Sequence, residues 1–221
     1  MYAINHAATA LLLKKRQPSV DIWTLLVSVQ LVELLWVLLN YSHIEYYSIN
    51  NGKIHLDYLP YSHSIVSAAA IALASYLLIY LVGKKPRLAG IFAAGVLSHI
   101  VLDVIIHEQD IWLFPLQGSP VLGLGIIDHP WLNFVLEMIY GIACWWFFRG
   151  SRALLISIVV FNLLDLPIML ASGDALGIFI SYPFLLPTFI LFQILLTWFF
   201  VARFSQPAMR ERRAGGDDHR Q

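Results

Sequence analysis

Apolar runs about twenty residues long recur along this chain. A run of that length crosses the hydrocarbon core of a bilayer as one helix. Composition agrees, with 59% hydrophobic residues, 13% charged residues and a mean hydropathy of +0.71. A soluble domain of 221 residues carries far more charge. The expected fold is therefore all-α: a polytopic membrane helical bundle with six transmembrane helices plus a short N-terminal helix. The spans read as 18–40, 61–83, 88–107, 130–148, 153–171 and 176–203. The last is long and holds Pro183 and Pro187, so a kink or a preceding interfacial turn is expected there. Residues 2–13 form a helical stretch too short to span. Residues 41–60 and 108–129 read as the two sizeable loops. Residues 1–203 form one transmembrane domain, and the polar residues 204–221 read as a disordered cytoplasmic tail.

Several function classes fall away at once. Net charge is zero, so nothing points to nucleic acid. The one cysteine, Cys144, excludes an internal disulfide and argues against a thiolate metal site. The first residues do not read as a cleaved signal, because Lys14-Lys15-Arg16 follow the apolar stretch instead of preceding it.

Basic residues set the orientation. They fall at 14–16, 84–87, 149–152 and from 203 onward, which are alternate ends of the six spans. The opposite loops hold Lys53 alone. The positive-inside rule makes the basic ends cytoplasmic, with the C-terminus inside.

Four carboxylates lie inside the spans: Glu33, Asp103, Glu137 and Asp165. At about 1.5 Å of rise per residue, all four fall roughly 6–10 Å below the outer ends of their spans. The topology came from Lys and Arg alone, so this shared depth is independent of it. Acids in a membrane are costly and mark function by default. His6, His63, His99 and His107 gather at the same level, and no Lys or Arg lies in the spans at that level to neutralise the acids. A bound divalent metal is the expected counter-charge, and zinc suits a set of imidazoles and carboxylates.

The strongest local pattern is S-H-I-V-L-D-V-I-I-H, residues 98–107. His99, Asp103 and His107 follow at i, i+4 and i+8 and line one helical stripe. Adjacent pairs four apart chelate one ion on metalloprotease helices. The competing reading is a polar stripe satisfied by neighbouring helices. A second pattern, H-L-D-Y-L-P-Y-S-H-S at 55–64, puts His63 between two serines at the outer start of a span, with His55 and Asp57 in the loop above. Tyr and His are also ordinary at a membrane boundary. Asp110 sits in the outer loop, where a solvated acid is the simpler reading. Asp165 follows Asn162 by one turn, and an inter-helix hydrogen bond competes there with a functional role.

These residues resemble a known family. His6, then Glu33 in the first full span, then Ser62-His63-Ser64, then Ser98-His99 with Asp103 are similar to the predicted membrane-bound metal-dependent hydrolases, which include LexA-controlled bacterial inner-membrane proteins. The likeness covers roughly residues 1–150 and continues in H-E-Q-D-I-W-L-F-P-L, residues 107–116. Many members carry an aspartate pair in a Pro-Asp-x-Asp setting before the S-H-S motif; this chain has Gln30 and Glu33 there.

The resemblance implies a metal-dependent hydrolase. A metal-acidified water would attack an ester or phosphoester, and a site near the outer leaflet, beneath the headgroups, suits a lipid or lipid-linked substrate. His6, Glu33, His63, His99, Asp103 and His107 are the expected metal ligands. Glu137 or Asp110 is the expected general base, and His55, Asp57 and Asp165 the expected substrate contacts. The rival class is a proton- or cation-coupled carrier or channel, which needs polar groups to continue to the cytoplasmic half; a non-catalytic membrane protein is a third reading.

Overall fold

The computed structural model describes residues 1–50, 53–171 and 177–205. Among the described residues, eight α-helices follow one another: α1 (Ala3–Arg16), α2 (Ile22–Tyr41), α3 (Ile65–Leu81), α4 (Pro86–Ile106), α5 (Pro130–Phe148), α6 (Arg152–Met169), α7 (Gly177–Ser181) and α8 (Leu185–Phe204). Five of them, α2, α4, α5, α6 and α8, are long and apolar enough to cross a membrane. The apolar α3 has 17 residues and falls just short of that length. The anticipated last span divides in two. Pro183 separates α7 from α8, and Pro187 sits in the first turn of α8, where its missing N–H breaks no helical bond.

The short helix α1 is the hub. It packs against α2, α4, α5, α6 and α8. Its sequence explains this: Ala7, Ala8 and Ala10 are fully buried, and small side chains let backbones approach closely. Lys14, Lys15 and Arg16 close its last turn, where cations suit the helix dipole. Lys14 Nζ donates to the carbonyls of Pro18 and Val20, and Lys15 Nζ to that of Phe147 at the end of α5. Ser151 Oγ, which also caps α6, donates to Phe204 O at the end of α8. The basic ends of the helices thus gather at one end of the bundle.

The helix α4 crosses α2 where Gly95 lies against Ser28. A Cβ there would fall 3.3 Å from the Ser28 carbonyl carbon and closer still to its side chain, so only glycine permits the crossing. That approach brings the stripe 98–107 of α4 against the Glu33 face of α2. At the outer edge of this pair, Ala68 and Ala72 of α3 are buried beside Ile100 and Val96.

Both expected loops carry strands. β1 (Tyr46–Asn50) and β2 (Lys53–Tyr58) pair antiparallel, with Asn50 opposite Lys53. The two residues left between them, Asn51-Gly52, are a strong two-residue hairpin signal. β3 (Ile111–Trp112) pairs with β4 (Val121–Leu122). The second hairpin then folds back on the end of α4: Leu124 N donates to Val104 O and Gly125 N to His107 O, at 2.9 and 2.7 Å. Gly123, at φ +148°, passes so near the Glu108 carbonyl that no Cβ would fit.

Candidate metal centre

Two helices and one loop carry the centre. Glu33 comes from the middle of α2, His99 and Asp103 from successive turns of α4, and His63 from the turn leading into α3. The S-H-S motif divides its labour. Ser64 is the N-cap of α3 and its Oγ accepts from Ser67 N at 3.2 Å. The residue before the cap has its backbone fixed, and His63 is thereby aimed inward, with 3% of its surface exposed.

Four atoms converge. Glu33 Oε2 lies 3.4 Å from both His63 Nε2 and His99 Nε2. Asp103 Oδ2 lies 3.0 Å from His99 Nε2 and 3.8 Å from His63 Nε2. Neighbouring donor atoms on a tetrahedral zinc with bonds of about 2.0–2.1 Å stand about 3.3 Å apart. Close approach alone would also suit imidazolium–carboxylate pairs, but the alignment does not. His99 Nε2 and Asp103 Oδ2, although 3.0 Å apart and fully buried, form no hydrogen bond with each other or anything else. Buried polar atoms are almost always satisfied, so these orphans need a partner.

The other nitrogen of His99 fixes which atom is available. His99 Nδ1 lies 2.8 Å from Val29 O, and a carbonyl can only accept. Nδ1 therefore carries the hydrogen, and in the neutral imidazole Nε2 presents the lone pair, as in a typical outer-sphere contact of a metal-binding histidine.

Asp103 looks both ways. Its Oδ1 lies 2.9 Å from the Met1 amino nitrogen and 3.2 Å from His6 Nε2. His6 stacks on His99 with ring centroids 3.9 Å apart and planes 12° from parallel. Among the described residues, two groups have donor atoms close enough to hold an ion, Glu33 with His63 and His99, and His6 with His99 and Asp103. They share His99. Both ring nitrogens of His6 lack hydrogen-bond partners.

The remaining expected residues lie around this core. His107 ends α4, with Nε2 3.9 Å from Asp103 Oδ1 and Nδ1 3.5 Å from Asp110 Oδ1. A cavity of about 180 Å³ opens beside the cluster. Glu33, His6, His63, His107, Asp110 and Glu137 face it, and Trp36, Ile106, Ile168, Leu186, Phe189 and Ile190 give it an apolar wall. Glu137 is held across the cavity: its Oε2 accepts from Tyr2 N and Asn5 Nδ2, at 3.0 and 2.7 Å, and its Oε1 is buried without a partner. Asp165 stands apart from the lining residues. Its Oδ1 accepts from Gln193 Nε2 at 2.6 Å, joining α6 to α8. His55 and Asp57 lie outside the residues whose side chains the structure describes.

Sequence reasoning passed over two participants. Trp36, one turn after Glu33, is buried in the cavity wall with an unpartnered Nε1. Glu45, in the loop after α2, is buried behind His63. A loop acid gives no sign of burial in sequence; only the adjacent helix end betrays it.

A family model described as YdjM inner membrane protein matches residues 60–173, just over half of the 221 residues, and the chain belongs to that family. The match takes in Ser62-His63-Ser64, Ser98-His99, Asp103 and His107. No curated protein and no solved structure matches the chain.

Proposed function

We propose that this member of the YdjM inner membrane protein family is a metal-dependent hydrolase of an amphiphilic ester or phosphoester. One observation carries the reading: fully buried His99 Nε2 and Asp103 Oδ2 approach within 3.0 Å without bonding each other. Glu33, His63, His99 and Asp103 would hold a divalent ion of the zinc type, with His6 and His107 beside them. Such an ion supplies Lewis acidity and lowers the pKa of water toward neutrality. Glu137 Oε1, unpartnered and facing the cavity, is the proton acceptor. Asp110, paired with His107, is the second acid within reach. The apolar wall opposite the cluster suits a molecule with a hydrocarbon part, and Trp36 Nε1 offers it one donor.

The deeper core supports chemistry over conduction. Ser28, Thr9, Ser157 and Thr197, the hydroxyls buried toward the basic end, donate to or approach carbonyls of their own helices. Around them Leu25, Leu26, Leu11 and Ile158 are fully buried. A carrier needs polar groups that are not already spent. We read the basic end as cytoplasmic by the positive-inside rule and α3 as a sixth span, since about 17 residues is the lower limit for crossing.

Elemental analysis of detergent-purified protein tests this. The parent should hold about one to two divalent ions per chain, and a His99→Ala plus Asp103→Ala double variant almost none. A metal-free parent, or equal metal in the double variant, removes the ligand assignment.

A further inference from the structure

Glu45 follows the end of α2, where Ser42 N and Glu45 N return to the carbonyls of Leu38 and Leu39 and His43 takes a left-handed φ of 56°. That reversal tucks the Glu45 side chain inward, leaving 1% of the residue exposed. Its carboxylate is saturated from one direction. Oε1 accepts from Tyr61 N and Ser62 N at 2.7 and 2.9 Å, and Oε2 accepts from Ser62 Oγ at 2.5 Å. Ser62 Oγ in turn lies 2.8 Å from His63 Nδ1. Ser62 is fully buried, so no water competes for this chain.

We infer that Glu45 is a positioning residue that acts through Ser62 to fix the tautomer and direction of His63 for metal binding. This rests on the metal-centre reading above. The polarity of the chain follows from proton counting. A carboxylate only accepts, so the one hydroxyl hydrogen of Ser62 goes to Glu45. The Ser62 oxygen can then only accept from His63, which places the ring hydrogen on Nδ1. Nε2 is left with its lone pair, 3.4 Å from Glu33 Oε2 and 3.8 Å from Asp103 Oδ2. His99 reaches the same tautomer through a backbone carbonyl. The two imidazoles thus enter the centre pre-set by different partners, one carbonyl and one carboxylate relayed through a serine. A carboxylate behind a ligating histidine also raises its basicity.

The isosteric variant Glu45→Gln sharpens the inference, because it reverses the relay. Two backbone N–H groups point at the Oε1 position, so the Gln carbonyl takes that place and its NH2 faces Ser62. The amide then donates to Ser62 Oγ, Ser62 donates to His63 Nδ1, and the ring hydrogen moves to Nε2, where it blocks the metal. Ser62→Ala only releases the ring and keeps both backbone bonds to Glu45.

The test titrates the chelator-stripped full chain in detergent with Co2+ alone, reading affinity and the visible ligand-field bands. Loss of such a second contact costs about 10- to 100-fold in metal affinity. Ser62→Ala should fall in that range with altered bands, and Glu45→Gln should fall further. Parental affinity in either variant, or Glu45→Gln binding no more weakly than Ser62→Ala, overturns the relay while leaving the centre intact. A parent that takes up no Co2+ instead sinks the metal-centre reading and this inference with it. Should a variant fail to fold, the 15N shifts of His63 in the metal-free parent decide: a hydrogen on Nδ1 supports the relay and one on Nε2 overturns it.

Discussion

Two groups of buried polar side chains face each other across one cavity, and they are satisfied in opposite ways. On the α2–α4 side, carboxylates meet imidazoles: Glu33 and Asp103 surround His63 and His99 at 3.0–3.8 Å, and His99 Nε2 and Asp103 Oδ2 have no hydrogen-bond partner. On the α5–α6–α8 side, carboxylates meet amides. Asn5 Nδ2 donates to Glu137 Oε2 at 2.7 Å and to Asn162 Oδ1 at 2.9 Å, and Gln193 donates to Asp165 at 2.6 Å. An amide brings N–H donors that an acid can accept from, as Glu137 Oε2 and Asp165 Oδ1 do. An imidazole whose other nitrogen is already tied to a carbonyl or serine brings a lone pair, which adds to the negative potential of the acids. Acids at one depth in the membrane therefore have two different fates, and the neighbouring residue type decides which.

Removing metal should separate the two sides most strongly. A ligand bound at about 100 times its Kd stabilises by about 2.7 kcal/mol. For a chain of this size that is a fall of about 5–10 °C in melting temperature on chelation. The parent should show it and the His99→Ala plus Asp103→Ala variant should not. An equal fall in both would mean that the ion sits elsewhere.

Asn5→Ala should act on the other side alone. It leaves Glu137 with one backbone donor and strips Asn162 of a partner. An unsatisfied buried group costs about 1–3 kcal/mol, so the melting temperature should drop by several degrees while metal content stays at the parental value. Loss of metal with Asn5→Ala would show that the two networks are one.

The smallest effect is expected for Asp165→Asn. Gln193 can still donate to the remaining oxygen, and an amide is less costly to bury than a carboxylate. Stability should stay within about 1 kcal/mol of the parent, with metal unchanged. A clear loss of metal or of hydrolysis would move Asp165 from a strut between α6 and α8 into the site.

Much of the fold was legible in the chain. Hydropathy located the long helices because lipid forces each crossing segment to satisfy its own backbone. It overestimated regularity where local chemistry interrupts it. Pro183 splits the last segment, and β1 and β2 pair antiparallel where a loop was expected. The spacing of His99 and Asp103 placed both on one stripe because helical geometry is fixed, and helical rise brought Glu33 to the same level.

What remained hidden were the contacts that cross between elements. The sequence determined which residues are too costly to leave unpaired in a membrane. Spacing set Asp103 beside His99 but left Asp165 open between a functional role and an inter-helix hydrogen bond. Only packing decided that Asp103 also meets His63 and that Asp165 meets Gln193. The Gly95 crossing sets α4 against α2, and the residue that each acid meets is a property of the neighbouring helix. Glu45 makes the same point: a loop acid by sequence, it is buried because the chain reverses at His43 and the turn at Tyr61-Ser62 closes over it. Composition and period act along the chain, whereas the pairing of a buried charge is fixed only when helices dock.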